Sequence, residues 1–140
     1  MPVNISRMTI NAPVEKVWDA LTKPELVKKW QFGSELKTDW IPGNEIRFTT
    51  PWEGNVFEQW GKIIEIKTLE LIRYSLFAPR PNLEDKPENY FVMTYKLIAD
   101  GEQTKLEIAQ EDHRPHAKQE DEQGEENPVL QSLKKTAEAI

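Results

Sequence analysis

The sequence contains no cysteine. Disulfide bridges, thiolate nucleophiles and cysteine-bound metals are therefore excluded, and the absence agrees with a reducing compartment. Long apolar runs are also missing, and none approaches the roughly 20 residues that cross a bilayer as a helix. No basic-then-apolar leader precedes the first alternating stretch. Neither a signal nor a transit peptide is expected, and cytoplasmic residence follows. Histidine is scarce. His113 and His116 stand in a polar His-Arg-Pro-His stretch with no third ligand fixed nearby, which fits solvated loop residues better than a metal pair. Only four serines occur, none in a nucleophile elbow, and there is no glycine-rich phosphate loop. No metal and no cofactor is expected.

Basic charge is lacking as well. The net charge is -6, but it is unevenly placed. Residues 111–126, EDHRPHAKQEDEQGEE, hold seven acids against two bases and so carry all but one unit of that charge. The remainder, with 16 bases and 17 acids, is nearly neutral. Nothing forms the basic stripe that phosphate neutralisation requires, so nucleic acid is not an expected partner. The acidic stretch has too little apolar content to offset the entropy of ordering it, and it reads as a mobile, solvated loop.

What is present fits one domain over residues 1–140. Residues 2–10 read as a strand. Pro13 marks a helix start, and Val14, Val17, Trp18 and Leu21 form one helical stripe. Pro24 breaks that helix and begins a second, with Leu26, Val27 and Trp30 on its stripe and Gly33 as its stop. From Glu35 the period shifts towards two, giving strands at about 35–40, 45–50, 56–67, 70–78, 90–99 and 103–110. Turn chemistry separates them, most clearly Asp100-Gly101. The loop 79–89, PRPNLEDKPEN, holds three prolines and no period. Asn127-Pro128 then caps a last helix with Val129, Leu130, Leu133, Ala137 and Ile140 on one face. The fold class is α+β: a curved antiparallel sheet, two short helices after the first strand, and a C-terminal helix to cover the sheet.

Four segments resemble a known superfamily in the right order. They are INAPVEKVWDALTKPELVKKW (10–30), DWIPGNEIRF (39–48), GKIIEIKTLELIRYSL (61–76) and MTYKLIADGEQTKLEI (93–108). Together they resemble the START-like (SRPBCC, Bet v 1-like) superfamily, in the branch similar to the C-terminal domain of the Hsp90 ATPase activator. The resemblance implies a helix-grip fold, with the sheet wrapped around the C-terminal helix. It also implies a cavity between them that in other members takes lipids, hormones or polyketides, or performs cyclase chemistry. This sequence departs in having a short last helix without the tryptophan common near its start, and in a long acidic insert. The N-terminal half of the Hsp90 activator has no counterpart here, so its co-chaperone role is not expected to transfer.

All five tryptophans fall in the first 60 residues. Trp18 and Trp30 sit on helical stripes and belong to the core. Trp40, Phe48, Trp60, Tyr74 and Tyr95 suit either core packing or the wall of an apolar cavity. Gln110, at the end of the face carrying Leu106 and Ile108, would supply a polar group there. Leu133 would face the same space from the last helix. Glu58, grouped by period two with Trp60, Ile64 and Ile66, would be an acid or base only if it pointed inward. Arg47 lies between Ile46 and Phe48. The expected function is non-enzymatic binding of a small apolar or amphipathic molecule between sheet and C-terminal helix, reached near the loop 79–89. A protein-interaction module of Hsp90-activator type is the alternative, and a cavity enzyme using Glu58, Arg47 or Gln110 is a third. The expected partners are the small molecule and, on the alternative, a protein; a homodimer is compatible with both.

Overall fold

In a computed structural model of the chain, residues 3–31, 33–112 and 127–140 are described. The elements run β1 (Val3–Ile10), α1 (Val14–Thr22), α2 (Pro24–Trp30), β2 (Glu35–Lys37), β3 (Glu45–Trp52), β4 (Asn55–Lys67), β5 (Leu71–Leu76), β6 (Phe91–Asp100), β7 (Gln103–Asp112) and α3 (Pro128–Glu138). The strands make one open, antiparallel sheet in the order β1-β7-β6-β5-β4-β3-β2. All three helices cover one face of it, which is the helix-grip arrangement. Among the described residues no helix is long and apolar enough to cross a membrane.

Alternation fixes which residues meet the helices. Met8 and Ile10 of β1, Ile46 and Phe48 of β3, and Ile72, Tyr74 and Leu76 of β5 are buried on the covered face. So are Tyr95 and Leu97 of β6, and Leu106 and Ile108 of β7. Helix α1 buries Val14, Val17, Ala20 and Leu21 against them. In α2 the buried pair is Val27 and Trp30, and the Trp30 indole N–H donates to the Ala20 carbonyl at 2.7 Å, locking the two short helices together. Gly33 follows α2 at φ +92°, and its N–H reaches back to the Lys28 carbonyl at 2.8 Å, closing the helix as expected of a left-handed glycine.

Helix α3 opens as its sequence predicts. Pro128 occupies the first turn, and the Asn127 side chain accepts from the backbone N–H groups of Val129 and Leu130. Leu130, Leu133 and Ala137 are buried, whereas Val129 and Ile140, at the two ends of the stripe, are 40% and 44% exposed. The helix is pinned at its far end by three bonds to the first elements. Lys134 Nζ donates to the Thr9 carbonyl, the Asn11 N–H donates to Glu138, and Lys16 Nζ donates to the Ile140 carbonyl. It is not the sole cover of the sheet, because α1 and α2 share that face with it.

Several strand boundaries differ from the sequence expectation by two or three residues, and two of them bear on the acidic stretch and on Trp40. Strand β2 ends at Lys37 rather than near residue 40. There the Thr38 hydroxyl and the Asp39 carboxylate accept from the N–H groups of Trp40 and Ile41, and Trp40 turns to φ +60°, so side chains replace the ladder. Strand β7 instead runs on to Asp112, so the first two acids of the acidic stretch belong to the sheet. Glu111 pairs in register with Val3 and Val92, and Asp112 turns inward beside Phe91 and is buried. Residues 113–126, with His113 and His116, lie outside the described residues.

Strand β4 approaches β5 so closely that only glycine fits at position 61. A Cβ built there would stand 1.8 Å from the Ser75 carbonyl oxygen, which is backbone and cannot step aside. Gly61→Ala is therefore expected to destabilise by about 1–3 kcal/mol through forced displacement. Leu133→Ala, at a fully buried position, should cost about 2–5 kcal/mol. Urea denaturation of each variant reads both. A midpoint unchanged in Leu133→Ala would mean that α3 does not hold the fold.

Candidate functional site

One end of the covered face is not filled. Where β5 and β7 end and β6 begins, the end of α2 and the start of α3 leave a cleft of about 320 Å³. Its apolar wall comes from Trp30, Phe48, Tyr74, Leu76, Phe91 and Met93. Polar groups stand around it: Gln31 and Ser34 after α2, Thr50 and Gln59 on the β3–β4 hairpin, and Gln110 on β7. The volume falls in the lower range of small-molecule pockets, and the mix of aromatic wall with a few polar groups is the usual one.

The inner part of the cleft is built by a tyrosine pair. In register, Tyr74 stands opposite Met93, and Tyr95 opposite Ile72. The two rings therefore lie diagonally on adjacent strands, with centroids 6.1 Å apart. The Tyr74 hydroxyl donates to the Tyr95 oxygen at 3.4 Å, and both residues are buried, with 4% and 6% exposed. Burial raises the Tyr74 pKa well above the ordinary range, helped by the neighbouring Tyr95 and by the bond to it. Burial also raises that of Tyr95, against the bond it accepts. Both stay protonated. Phe48 packs on Tyr74 at 6.0 Å. Behind the pair lies a void of about 10 Å³, room for roughly one water, shared by Trp30, Gln31, Trp40, Phe48 and the two tyrosines.

Of the residues expected to line a cavity, Phe48, Tyr74, Tyr95 and Gln110 meet in this cleft. Trp40 reaches only the small void behind it and a larger groove of about 510 Å³ at the opposite end of the sheet, and its indole N–H is bonded to the Thr22 carbonyl at 3.3 Å. Leu133 is packed in the core and does not reach the cleft, whose α3 residue is Val129. Trp60 is on the outer face. It pairs with Arg47, whereas Phe48 and Gln59, the next pair along, point into the cleft. Glu58 shares the outer face with Arg47 and is ion-paired to it at 2.8 Å, so neither serves as a cavity acid or base. The cause is a bulge in β4 between Ile63 and Glu65, which reverses the alternation. Ile66 points inward, but counting back from it by twos gives the wrong face for Trp60 and Glu58. The missed polar residues, Gln31, Ser34, Thr50 and Gln59, share no period; Gly61, inward with Gln59, is a sign of the true parity.

The loop 79–89 has an anchored structure of its own. Asp85 accepts from the Trp60 indole N–H at 3.0 Å through one oxygen and from the Tyr90 hydroxyl through the other. Phe77 sits between the Trp60 and Tyr90 rings, 5.4 Å from each, and Arg47 lies over the Trp60 ring. Asn89, buried, donates to the Glu84 carbonyl. This clasp ties the loop to the outer face, and none of its residues lines the cleft.

The bonds from Tyr90 and then Trp60 lower the Asp85 pKa, whereas burial and then Asp85 push Tyr90 up to about 12. A depressed acid stabilises above its unfolded value and is lost as pH falls through its folded one. A raised phenol stabilises below its unfolded value and is lost as pH rises through its folded one. The clasp should therefore hold from below about pH 4 to about 12. The Trp60 indole proton resonance should shift at both limits, and Asp85→Asn should abolish the acid limb. A resonance indifferent to Asp85→Asn would show that the clasp does not form.

Among the described residues no group of three or more acids and histidines is placed to hold a metal. No curated protein matches the chain. Among solved structures it is similar to ChR145 from Cytophaga hutchinsonii, with a TM-score of 0.70 and 29% identity over 99% of this chain and 85% of that one. It is similar in fold to NE0264 from Nitrosomonas europaea, with a TM-score of 0.74 and 18% identity over 99% and 95% of the two chains. It is likewise similar in fold to PFC0360w, an HSP90 activator from Plasmodium falciparum, with a TM-score of 0.65 and 17% identity over 84% and 76%. Residues 11–138 match the family described as Activator of Hsp90 ATPase homolog 1-like protein, and the chain belongs to that family.

Proposed function

We propose that this protein binds a small apolar or amphipathic molecule, without chemistry, in the cleft between the sheet, the end of α2 and the start of α3. The observation that carries the reading is the aromatic cleft itself. It opens at the protein surface beside Val129 and runs in to a buried tyrosine pair. A ligand hiding about 200 Å² of apolar surface there gains about 5 kcal/mol before the costs of association.

The second reading, a protein-interaction module, is supported by the β3–β4 hairpin. Val56 and Phe57 stand 64% and 55% exposed on it, and PFC0360w, similar in fold, is an HSP90 activator. Stimulation of Hsp90 ATP hydrolysis by this chain, lost in the double variant Val56→Ser, Phe57→Ser, would favour that reading.

An environment-sensitive apolar dye, followed by its own emission, tests the first. It should bind saturably, and Val129→Trp, which places a bulky ring at the half-exposed mouth, should weaken it about tenfold. Saturation that Val129→Trp leaves untouched would put the dye elsewhere. No saturation at all would remove the binding reading and leave the interaction module.

A further inference from the structure

Not one of the described residues lining the cleft is charged. For a chain in which 30% of residues are Asp, Glu, Lys or Arg, a wall of 13 residues without one is a chemical specification. The inward acid at that end, Asp112, stands beside Phe91 in register and is of the wrong sign to hold an anion. Arg47 is turned to the outer face and committed to Glu45 and Glu58 at 2.8 Å each. Arg73, also on the outer face, is paired with Glu111. An ionised carboxylate or phosphate entering the cleft would lose water and meet no counter-charge among the described residues, a penalty of several kcal/mol that neutral donors do not offset.

The polar groups that do face the space are neutral, and their commitments are uneven. Ser34 donates to the Gln31 carbonyl and is bonded at 2.7 Å to Thr50, so both hydroxyls are used. The Trp30 indole N–H is spent on Ala20. Tyr74 spends its proton on Tyr95. The Tyr95 hydroxyl accepts that bond but has no acceptor for its own proton among the described residues. It is therefore a buried donor awaiting an oxygen. Such a group is costly to leave unmade, and a ligand that completes it gains more than the bare bond.

We propose, resting on the binding reading above, that the cleft selects an uncharged molecule with an apolar body and a neutral acceptor oxygen, a ketone, amide or alcohol, which accepts a hydrogen bond from the Tyr95 hydroxyl, and that it rejects the matching carboxylate. The body lies along Phe48, Leu76, Phe91 and Met93, and any second polar group meets the amides of Gln31, Gln59 and Gln110 at the rim.

The test is displacement of the apolar dye by one ten-to-eleven-carbon series at neutral pH: undecane, 2-undecanone, decanamide and decanoate. The ketone and the amide should displace the dye at concentrations about tenfold or more below that needed with decanoate. Tyr95→Phe, made in a Tyr74→Phe background so that no second phenol proton is freed in the cleft, keeps the ring and removes the donor. It should cut the advantage of the ketone over undecane by about three- to tenfold while leaving undecane unchanged, a split that a general loss of packing would not produce. Decanoate binding as tightly as the ketone, or a ketone affinity indifferent to Tyr95→Phe, overturns this inference while leaving the binding reading intact. If neither the dye nor any member of the series binds, the binding reading falls and this inference with it.

Discussion

An open antiparallel sheet has one face that must be hidden from water, and in this chain three short helices share the task. The longest, α3, has 11 residues, and α1 and α2 have nine and seven. None is stable alone at such a length; each is held by what it buries. The bond from Trp30 to Ala20 makes α1 and α2 act as one unit, and Lys16, Asn11 and Thr9 tie α3 to that unit and to β1. All three ties from α3 lie towards its C-terminal end. Its N-terminal turn is held instead by its own cap and by Leu130 and Leu133 beneath it. The cleft lies at that end, beneath Val129.

The order of elements could be read from the residues because local signals agreed with the global fold. Proline at helix starts, Gly33 after α2, Asp100-Gly101 between β6 and β7, and Asn127 as cap each reported a local backbone need that the fold meets. The site was legible only in part, for a physical reason. Period two says which residues share a face, but not which face is covered, and a single bulge exchanges the two. Tyr74, Tyr95 and Phe48 lie on strands without such an interruption, and the structure brings them together in the cleft. Trp60 lies in β4 beyond the bulge and stands on the outer face, as does Glu58. Gln31 and Ser34 come from the turn after α2, where no period exists to place them.

The same reversal in β4 divides the aromatic residues into two sets with different work. Inside, Phe48, Tyr74 and Tyr95 stack along the covered face. Outside, Trp60, Phe77 and Tyr90 form a second cluster that Asp85 closes. An aromatic-rich sequence therefore does not imply one large aromatic chamber. The outer set is structural, and it fastens a long connection that would otherwise be free to wander.

That fastening bears on how fast a molecule could come and go. A loop of this length beside a cleft is the usual material of a lid, and lids open on the microsecond-to-millisecond scale. Asp85 holds the loop 79–89 to the outer face through Trp60 and Tyr90, so moving it over the mouth would first break those two bonds. On the proposed binding reading, passage past Val129 and the other described residues at the mouth would involve side-chain rotations, which take picoseconds to nanoseconds. Residence time in the cleft would then follow the strength of the contacts inside it rather than the motion of this loop.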